Sequence, residues 1–319
     1  MSMAVEHDPL GPQYESRTLP LRDGEVATLV RLPASDPVNG AVLYVHGYID
    51  YFFQTHVAEH FTERGYDFYA VDLRRCGRSL RPGDLKFYFD DLATFEEELD
   101  LSVEAIRADG HAKLTVLGSS TGGLAVCLWL NRRGDAIPVE ALILNSPWLD
   151  LQEPWPMRTL GTMVLYGLSQ VTPRTVLPQG ISAAYGPSIH ADHHGDFAFD
   201  TTWKPLVGAP TYVGVIAAVR RGHAKVHRGL NLRMPILVMH SDTSLLGLQN
   251  WTPKAQHADC VLDVKQMTQW APKLGLNVTD VTINGGVHDL FLSSAPVRAD
   301  AFAKMDAWLE HVREDSVSA

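Results

Sequence analysis

The stretch Val116-Leu117-Gly118-Ser119-Ser120-Thr121-Gly122-Gly123 contains the pattern G-x-S-x-G with Ser120 at its centre. It follows an apolar run directly and leads directly into an apolar helical one. A nucleophile on a sharp strand-to-helix turn sits in strained backbone, so its neighbours two residues away must be glycine to avoid clashes. The helix start then points free N–H groups at the place where negative charge develops in acyl transfer. A glycine-rich turn with incidental serines would match the same pattern, so the strand and helix context is what points to chemistry. Ser119 is adjacent but out of register.

Such a serine needs a base, and fourteen histidines compete for that role. His46 and His240 stand at expected strand ends, where packing and loop fixing are the commoner roles. His190, Asp192, His193 and His194 invite a metal reading, but they lack a helical or C-x-x-C framework and fit a solvated loop better. His223 and His227 have the spacing of a zinc-protease helix, yet Ala224 stands where H-E-x-x-H needs its glutamate. No metal and no other cofactor is expected.

The elements that must position these residues can be read from hydrophobic periodicity and turn signals. An N-terminal arm precedes two short strands, 17–22 and 25–32, joined by the hairpin signal Asp23-Gly24. Strands and helices then alternate: strand 41–46, helix 54–64 closed by Gly65, strand 66–72, helix 89–108, strand 112–117, helix 121–133 closed by Gly134, strand 139–145. Alternation pauses after Pro147, where helical pieces 157–169 and 211–219 mix with segments rich in His, Asp and Pro. It resumes with strand 235–240, helix 264–274, strand 278–283 and helix 297–312. Apolar strands between helices imply an α/β fold whose mostly parallel sheet is covered on both faces. Residues 1–147 and 234–319 form its core. Residues 148–233 are too many for a loop and are expected to fold as a cap.

Four motifs together resemble the α/β-hydrolase superfamily, in its monoacylglycerol lipase and lysophospholipase-like (serine aminopeptidase-like) branch. They are Tyr44-Val45-His46-Gly47-Tyr48, Asp72-Leu73-Arg74-Arg75-Cys76-Gly77-Arg78-Ser79, the serine turn, and Gly285-Gly286-Val287-His288-Asp289. The resemblance covers nearly the whole chain and implies the α/β-hydrolase fold. It makes His288 the base and gives the oxyanion hole to the N–H groups of Tyr48 and Thr121. The second motif looks like the family's D-x-R-x-x-G-x-S, with Cys76 where a histidine is common, and reads as a loop stabilised by Asp72 and Arg74. The acid departs from the pattern. The family writes H-G-x-x-D after the penultimate strand, whereas His240-Ser241-Asp242-Thr243-Ser244 places a serine at the aspartate position. Asp259, in a stretch resembling the family's D-x-x-V run, is the first choice. Asp242 at the strand end is the second. Asp263 is the third, although its spacing to Gln266 reads as a helix N-cap.

The implied activity is a cofactor-free serine hydrolase of carboxylic esters such as monoacylglycerols or other small monoesters. Members with an aspartate nucleophile are excluded because the turn carries Ser120. Among the aromatic residues of the insertion, Trp148, Trp155, Trp203 and Tyr212 are candidates for an apolar substrate pocket, though any of them would serve equally as cap core. Arg220, Arg221, Lys225 and Arg228 would steer an anionic aryl monoester, such as a phthalate monoester, or else form a solvated helix face. A proline iminopeptidase-like peptidase would need an acidic pair, with Glu153, Asp192, Asp196 and Asp200 as candidates. A non-catalytic binding protein on the same fold is disfavoured by a seemingly complete catalytic set.

Composition narrows the classes further. With 319 residues and 45% hydrophobic content the chain has ample material for a core. Its formal charge of -10 argues against nucleic acid as partner. No run of about 18 apolar residues suggests a spanning helix. The start, 1–13, lacks the pattern of a secretory signal. Cys76, Cys127 and Cys260 are odd in number and far apart, which fits a reducing cytoplasm rather than a disulfide scaffold.

Overall fold

The expected alternation is realised in a computed structural model that describes residues 5–152, 161–177 and 182–318. The chain begins with β1 (Val5–Asp8), β2 (Gly11–Pro20) and β3 (Val26–Leu32), paired antiparallel in that order. The β2–β3 hairpin closes with Pro20 opposite Val26, and Asp23 and Gly24 supply positive φ (+56° and +73°) between them. β1 was not anticipated: four residues of the expected arm add an edge strand.

There follow β4 (Ala41–Val45), α1 (Thr55–Thr62), β5 (Asp67–Asp72), α2 (Glu96–Ala108), β6 (Leu114–Ser119), α3 (Ser120–Arg133) and β7 (Ala141–Asn145). The insertion contributes α4 (Thr162–Val171), α5 (Tyr185–Ile189) and α6 (Val213–Arg228). The chain closes with β8 (Ile236–Ser241), α7 (Val264–Trp270), β9 (Val278–Ile283) and α8 (Ala295–Ser318). The nine strands form one sheet in the order β1-β2-β3-β5-β4-β6-β7-β8-β9, parallel from β5 to β9.

The continuous apolar runs have the expected cause. Every residue of β4, β5, β6, β7 and β8 is buried, and alternate side chains enter opposite layers. Leu43, Val45, Val116, Leu142 and Val238 pack with α2 and α3 on one face. Val42, Tyr44, Leu117, Ile143 and Leu237 pack with α1 and α8 on the other.

Two expectations change in detail. The helix expected over 89–108 starts later, after a 3-10 turn at Leu92–Phe95 whose Asp91 side chain accepts the Ala93 N–H. Phe89, expected as its first residue, is instead a buried loop residue beside the buried Phe87 and Tyr88. Within the insertion, α6 runs longer than 211–219, and its Val215, Ala218, Val219 and Val226 join the main core beside α3. Of the stretch expected to fold as a cap, α6 therefore packs with the core. Among the described residues, no helix is long and apolar enough to cross a membrane.

Candidate active site

The parallel strands end on one side of the sheet, and the loops leaving them bring the singled-out residues together. Ser120 is the first residue of α3, with φ +51° and 9% exposure. A non-glycine residue held there costs about 1–3 kcal/mol, strain of the kind found at functional sites. The glycine requirement is physical: a Cβ on Gly122 would overlap the carbonyl oxygens of Val45 and His46. Gly47 also lies close, since its Cβ would be 3.0 Å from Ser120 Cβ and 3.6 Å from Ser120 Oγ. The loop after β4 is thereby pressed against the serine.

His288 lies in the loop after β9. Gly285, at φ +71°, donates its N–H to Asp242 Oδ1 at 2.8 Å, and Val287 N–H donates to Ser293 Oγ at 3.0 Å. The imidazole bridges two partners: Nδ1 is 2.8 Å from Asp259 Oδ2, and Nε2 is 3.0 Å from Ser120 Oγ. A carboxylate only accepts, so Nδ1 carries the proton and the Nε2 lone pair faces the serine hydroxyl. Such an arrangement can remove a proton from Ser120 Oγ and return it to a leaving group. Ser119 ends β6, and the hydrogen bonds of the His288 ring go to Asp259 and Ser120 instead.

Asp259 is fully buried, and its Oδ1 accepts the N–H groups of Val261 (2.7 Å) and Leu262 (2.8 Å). These bonds satisfy the carboxylate and aim Oδ2 at the histidine. Asp259 arrives there because the loop after β8 folds out and returns: Ser244 and Asp259 form a parallel bridge, with Asp259 N–H on Thr243 O and Leu245 N–H on Asp259 O, each 2.8 Å. Ser244, at the place where the resemblance called for an aspartate, donates to Leu262 O and accepts from Val264 N–H, both at 2.9 Å. It braces the returning loop. Asp242 is exposed and engaged with Gly285, while Asp263 caps α7 by accepting the Lys265 N–H. Gln266 does not complete a capping box; it donates to Leu151 O instead.

Among the described residues, no acceptor meets the N–H of Tyr48 or of Thr121, whereas the Tyr48 hydroxyl is spent on Pro210 O at 2.9 Å. Free amides beside a strained serine at a helix start are the donors an oxyanion would need. Next to them lies a narrow, largely apolar cavity with room for about one water. It is lined by Gly47, Tyr48, Thr121 and Gly122, by Leu73, Cys76, Phe87, Tyr88, Phe89 and Phe95, and by His46 and Arg74.

The aromatic pocket candidates do not line this cavity. Trp148 packs in the core below the serine turn, its N–H on Ser120 O at 3.1 Å. Tyr212 stands one ring further out, edge-on to Tyr88 at 5.5 Å. Trp203 packs on Tyr51, on the histidine's side. Trp155 lies outside the described residues. The wall comes instead from Phe87–Phe89 and Phe95, whose local aromatic density is a signal that the sequence did offer. Asp289 was quoted only as part of a motif; it accepts from Asn145 Nδ2 (2.7 Å), Gln54 Nε2 (3.1 Å) and Phe291 N–H (3.1 Å), anchoring the histidine loop.

Of the cationic candidates, Lys225 and Arg228 are exposed, and Arg220 and Arg221 are engaged elsewhere. Arg220 pairs with buried Asp150 at 2.7 Å, and Arg221 donates to Asp90 O. His223 and His227 donate to the carbonyls of Trp148 and Leu149, and His190 is tied into its own turn through Asp192 N–H and Phe199 O. Among the described residues, no group of three or more His, Cys, Asp or Glu side chains converges on a metal position.

Comparisons with known proteins agree with this architecture. The family model described as serine aminopeptidase, S33 matches residues 36–250, which includes the serine turn and stops before Asp259 and His288. A soluble variant of monoglyceride lipase from Saccharomyces cerevisiae shares the fold with a TM-score of 0.67 at 19% identity, over 93% of this chain and 96% of that one. The monoacylglycerol lipase of Paleococcus ferrophilus gives 0.63 at 17% identity, over 89% and 99%. A carboxyl esterase from Bacillus coagulans gives 0.68 at 14% identity, over 94% and 98%. No curated protein sequence matches significantly. With the fold shared over nearly its full length and residues 36–250 matched by the family model, the chain belongs to the serine aminopeptidase S33 family of α/β-hydrolases.

Proposed function

We propose that this chain is a serine hydrolase of carboxylic esters that works through an acyl-enzyme. Ser120 Oγ attacks the ester carbonyl while His288 Nε2 takes its proton. Asp259 holds the imidazole in the Nδ1–H tautomer and stabilises the cation that forms. The Tyr48 and Thr121 amides bind the oxyanion. His288 returns the proton to the departing alcohol; water, deprotonated by the same histidine, then releases the acid and frees Ser120. The observation that carries this reading is the unbroken hydrogen-bonded run from Asp259 through His288 to Ser120.

Small monoesters, monoacylglycerols among them, are the substrates we favour, because the cavity beside the oxyanion donors is walled largely by aromatic rings. Peptide substrates are the second reading, supported by the family's description as aminopeptidases. Against it, Asp192, Asp196 and Asp200 are exposed rather than paired near the serine, and Glu153 lies outside the described residues. The insertion would act as a cap through residues before α6. Three buried free cysteines fit the reducing cytoplasm as the site of action.

The test is turnover of short- and medium-chain monoacylglycerols and p-nitrophenyl esters beside an aminoacyl anilide, for wild type and Ser120→Ala. Ester turnover that vanishes in the variant supports the reading; turnover of the anilide alone would replace it.

A further inference from the structure

Part of the insertion is packed directly onto the histidine. Tyr185 opens α5 and sets its ring edge-on to His288, centroids 5.6 Å apart and planes at 85°. Its hydroxyl accepts the N–H of Asp289, the next residue, at 3.3 Å. Burial raises the phenol well above its ordinary pKa, so the hydroxyl stays neutral.

A helix as short as α5 has little stability of its own, so the grip on His288 depends on what holds the segment. Lys204 supplies one fixing. Its Nζ lies 2.6 Å from Asp50 Oδ1 in the loop after β4, and both side chains are below 10% exposed. The ammonium also faces the rings of Phe53, Tyr185 and Phe199 at 5.5, 5.8 and 5.9 Å. A second fixing is the Asp200 N–H on Tyr51 Oη at 2.7 Å, with Trp203 packed edge-on to Tyr51 and Phe199 against Phe53. Removing one partner of a buried pair strands the other charge, so this connection resists opening.

We propose that Tyr185 is a positioning residue for His288, and that the Lys204–Asp50 pair locks it in place, making residues 182–204 a fixed wall of the histidine's socket. The hydrogen bonds to Asp259 and Ser120 fix the two ends of the imidazole; the Tyr185 ring blocks the swing that would break both. The inference rests on the proposed role of His288.

The test compares Tyr185→Met, which leaves a smaller, flexible apolar side chain, with Tyr185→Phe, which keeps the ring. For a short p-nitrophenyl ester, Tyr185→Met should lower kcat about 10–100-fold with little change in KM, because small misplacement of a catalytic group is that costly. Labelling by a fluorophosphonate should slow in parallel, and Tyr185→Phe should restore most of kcat. Val226→Ala, a core change in α6, serves as the control for destabilisation alone. Wild-type kcat in folded Tyr185→Met, or a loss confined to KM or matched by Val226→Ala, would overturn the proposal. Should Tyr185→Met not fold, the Asp50→Asn/Lys204→Met double variant takes its place, and wild-type kcat there counts against the lock. His288→Ala separates the two levels: if it stays active the reading of the site fails, whereas if it is inactive and Tyr185→Met is not impaired only this inference fails.

Discussion

Of two described stretches of the insertion, the more apolar one, α4, is the less buried, and the two differ in what they touch. In 182–204, Ala184 and Ile189 are fully buried, and the segment grips Asp50, Tyr51 and Phe53 of the loop after β4 and reaches His288. In α4, Met163, Val164 and Val171 are 71%, 63% and 79% exposed, and the helix packs chiefly on α6. The lesson is that apolarity alone did not decide which stretch docks. The docked stretch carries a lysine and polar backbone groups that meet partners on catalytic loops, and its rings bury themselves as a consequence. Among the described residues, α4 meets α6 rather than a catalytic loop, through Thr162 and Arg220 among others, and leaves apolar side chains in water.

If the docked stretch matters because it holds the base, removing the chemistry must outweigh every other change. Ser120→Ala and His288→Ala should each lower kcat/KM by about 10^4-fold or more, and the double variant should be little worse. Steady-state kinetics on one ester decides this, and additive losses would mean that the two residues do not act as a unit. Next comes the acid. Asp259→Asn should cost about 10^3–10^4-fold in kcat with the protein still folded. Asp242→Asn should cost far less, because its carboxylate holds Gly285 rather than the imidazole. The reverse order would move the acid to the strand end.

The third stretch of the insertion, α6, belongs with the docked part, and pH tests it. Burial, with the Arg220 cation beside it, lowers the pKa of His223 to about 3. An unfolded histidine titrates near 6.5, so the unfolded chain binds more protons between those values. Stability from this site is complete above about pH 6.5 and falls as pH drops toward 3, by up to about 1.4 kcal/mol per pH unit. Melting temperatures from pH 7 to 4 should show that decline, and His223→Gln should flatten it. A wild-type profile in His223→Gln would contradict the assignment.

The smallest effects complete the comparison. Ile189→Ala, fully buried in the docked stretch, should cost about 2–4 kcal/mol. Met163→Ser and Val171→Ser on α4 should each stay within about 0.5 kcal/mol. Urea unfolding of the three variants measures the contrast, and equal losses would erase it.

The elements of the sheet were legible because their causes are local. Buried strands read as apolar runs, Asp23-Gly24 closes its hairpin, and G-x-S-x-G brings its own steric reason. Ser120 could be singled out from its glycine-rich turn, and His288 because its Gly285-Gly286 loop matches the family that the chain resembles. Asp259 was harder: its carboxylate reaches His288 only after a return of the loop that pairs it with Ser244, a contact between positions that no local pattern links. Tyr185, Lys204 and Asp50 carry no motif at all, since a buried ion pair is a property of three-dimensional neighbours. The start of the helix expected over 89–108 was set too early: Phe89 is a buried loop residue, and apolar spacing does not tell a buried loop residue from a helical one.

One measurement tests the central claim most directly. The wild-type protein is treated with a fluorophosphonate until ester turnover stops, and the site of attachment is then located by peptide mass. The account predicts one adduct, on Ser120, with loss of turnover in proportion to labelling and no adduct on Ser120→Ala. An adduct on Ser119, or full turnover in fully labelled protein, would contradict it.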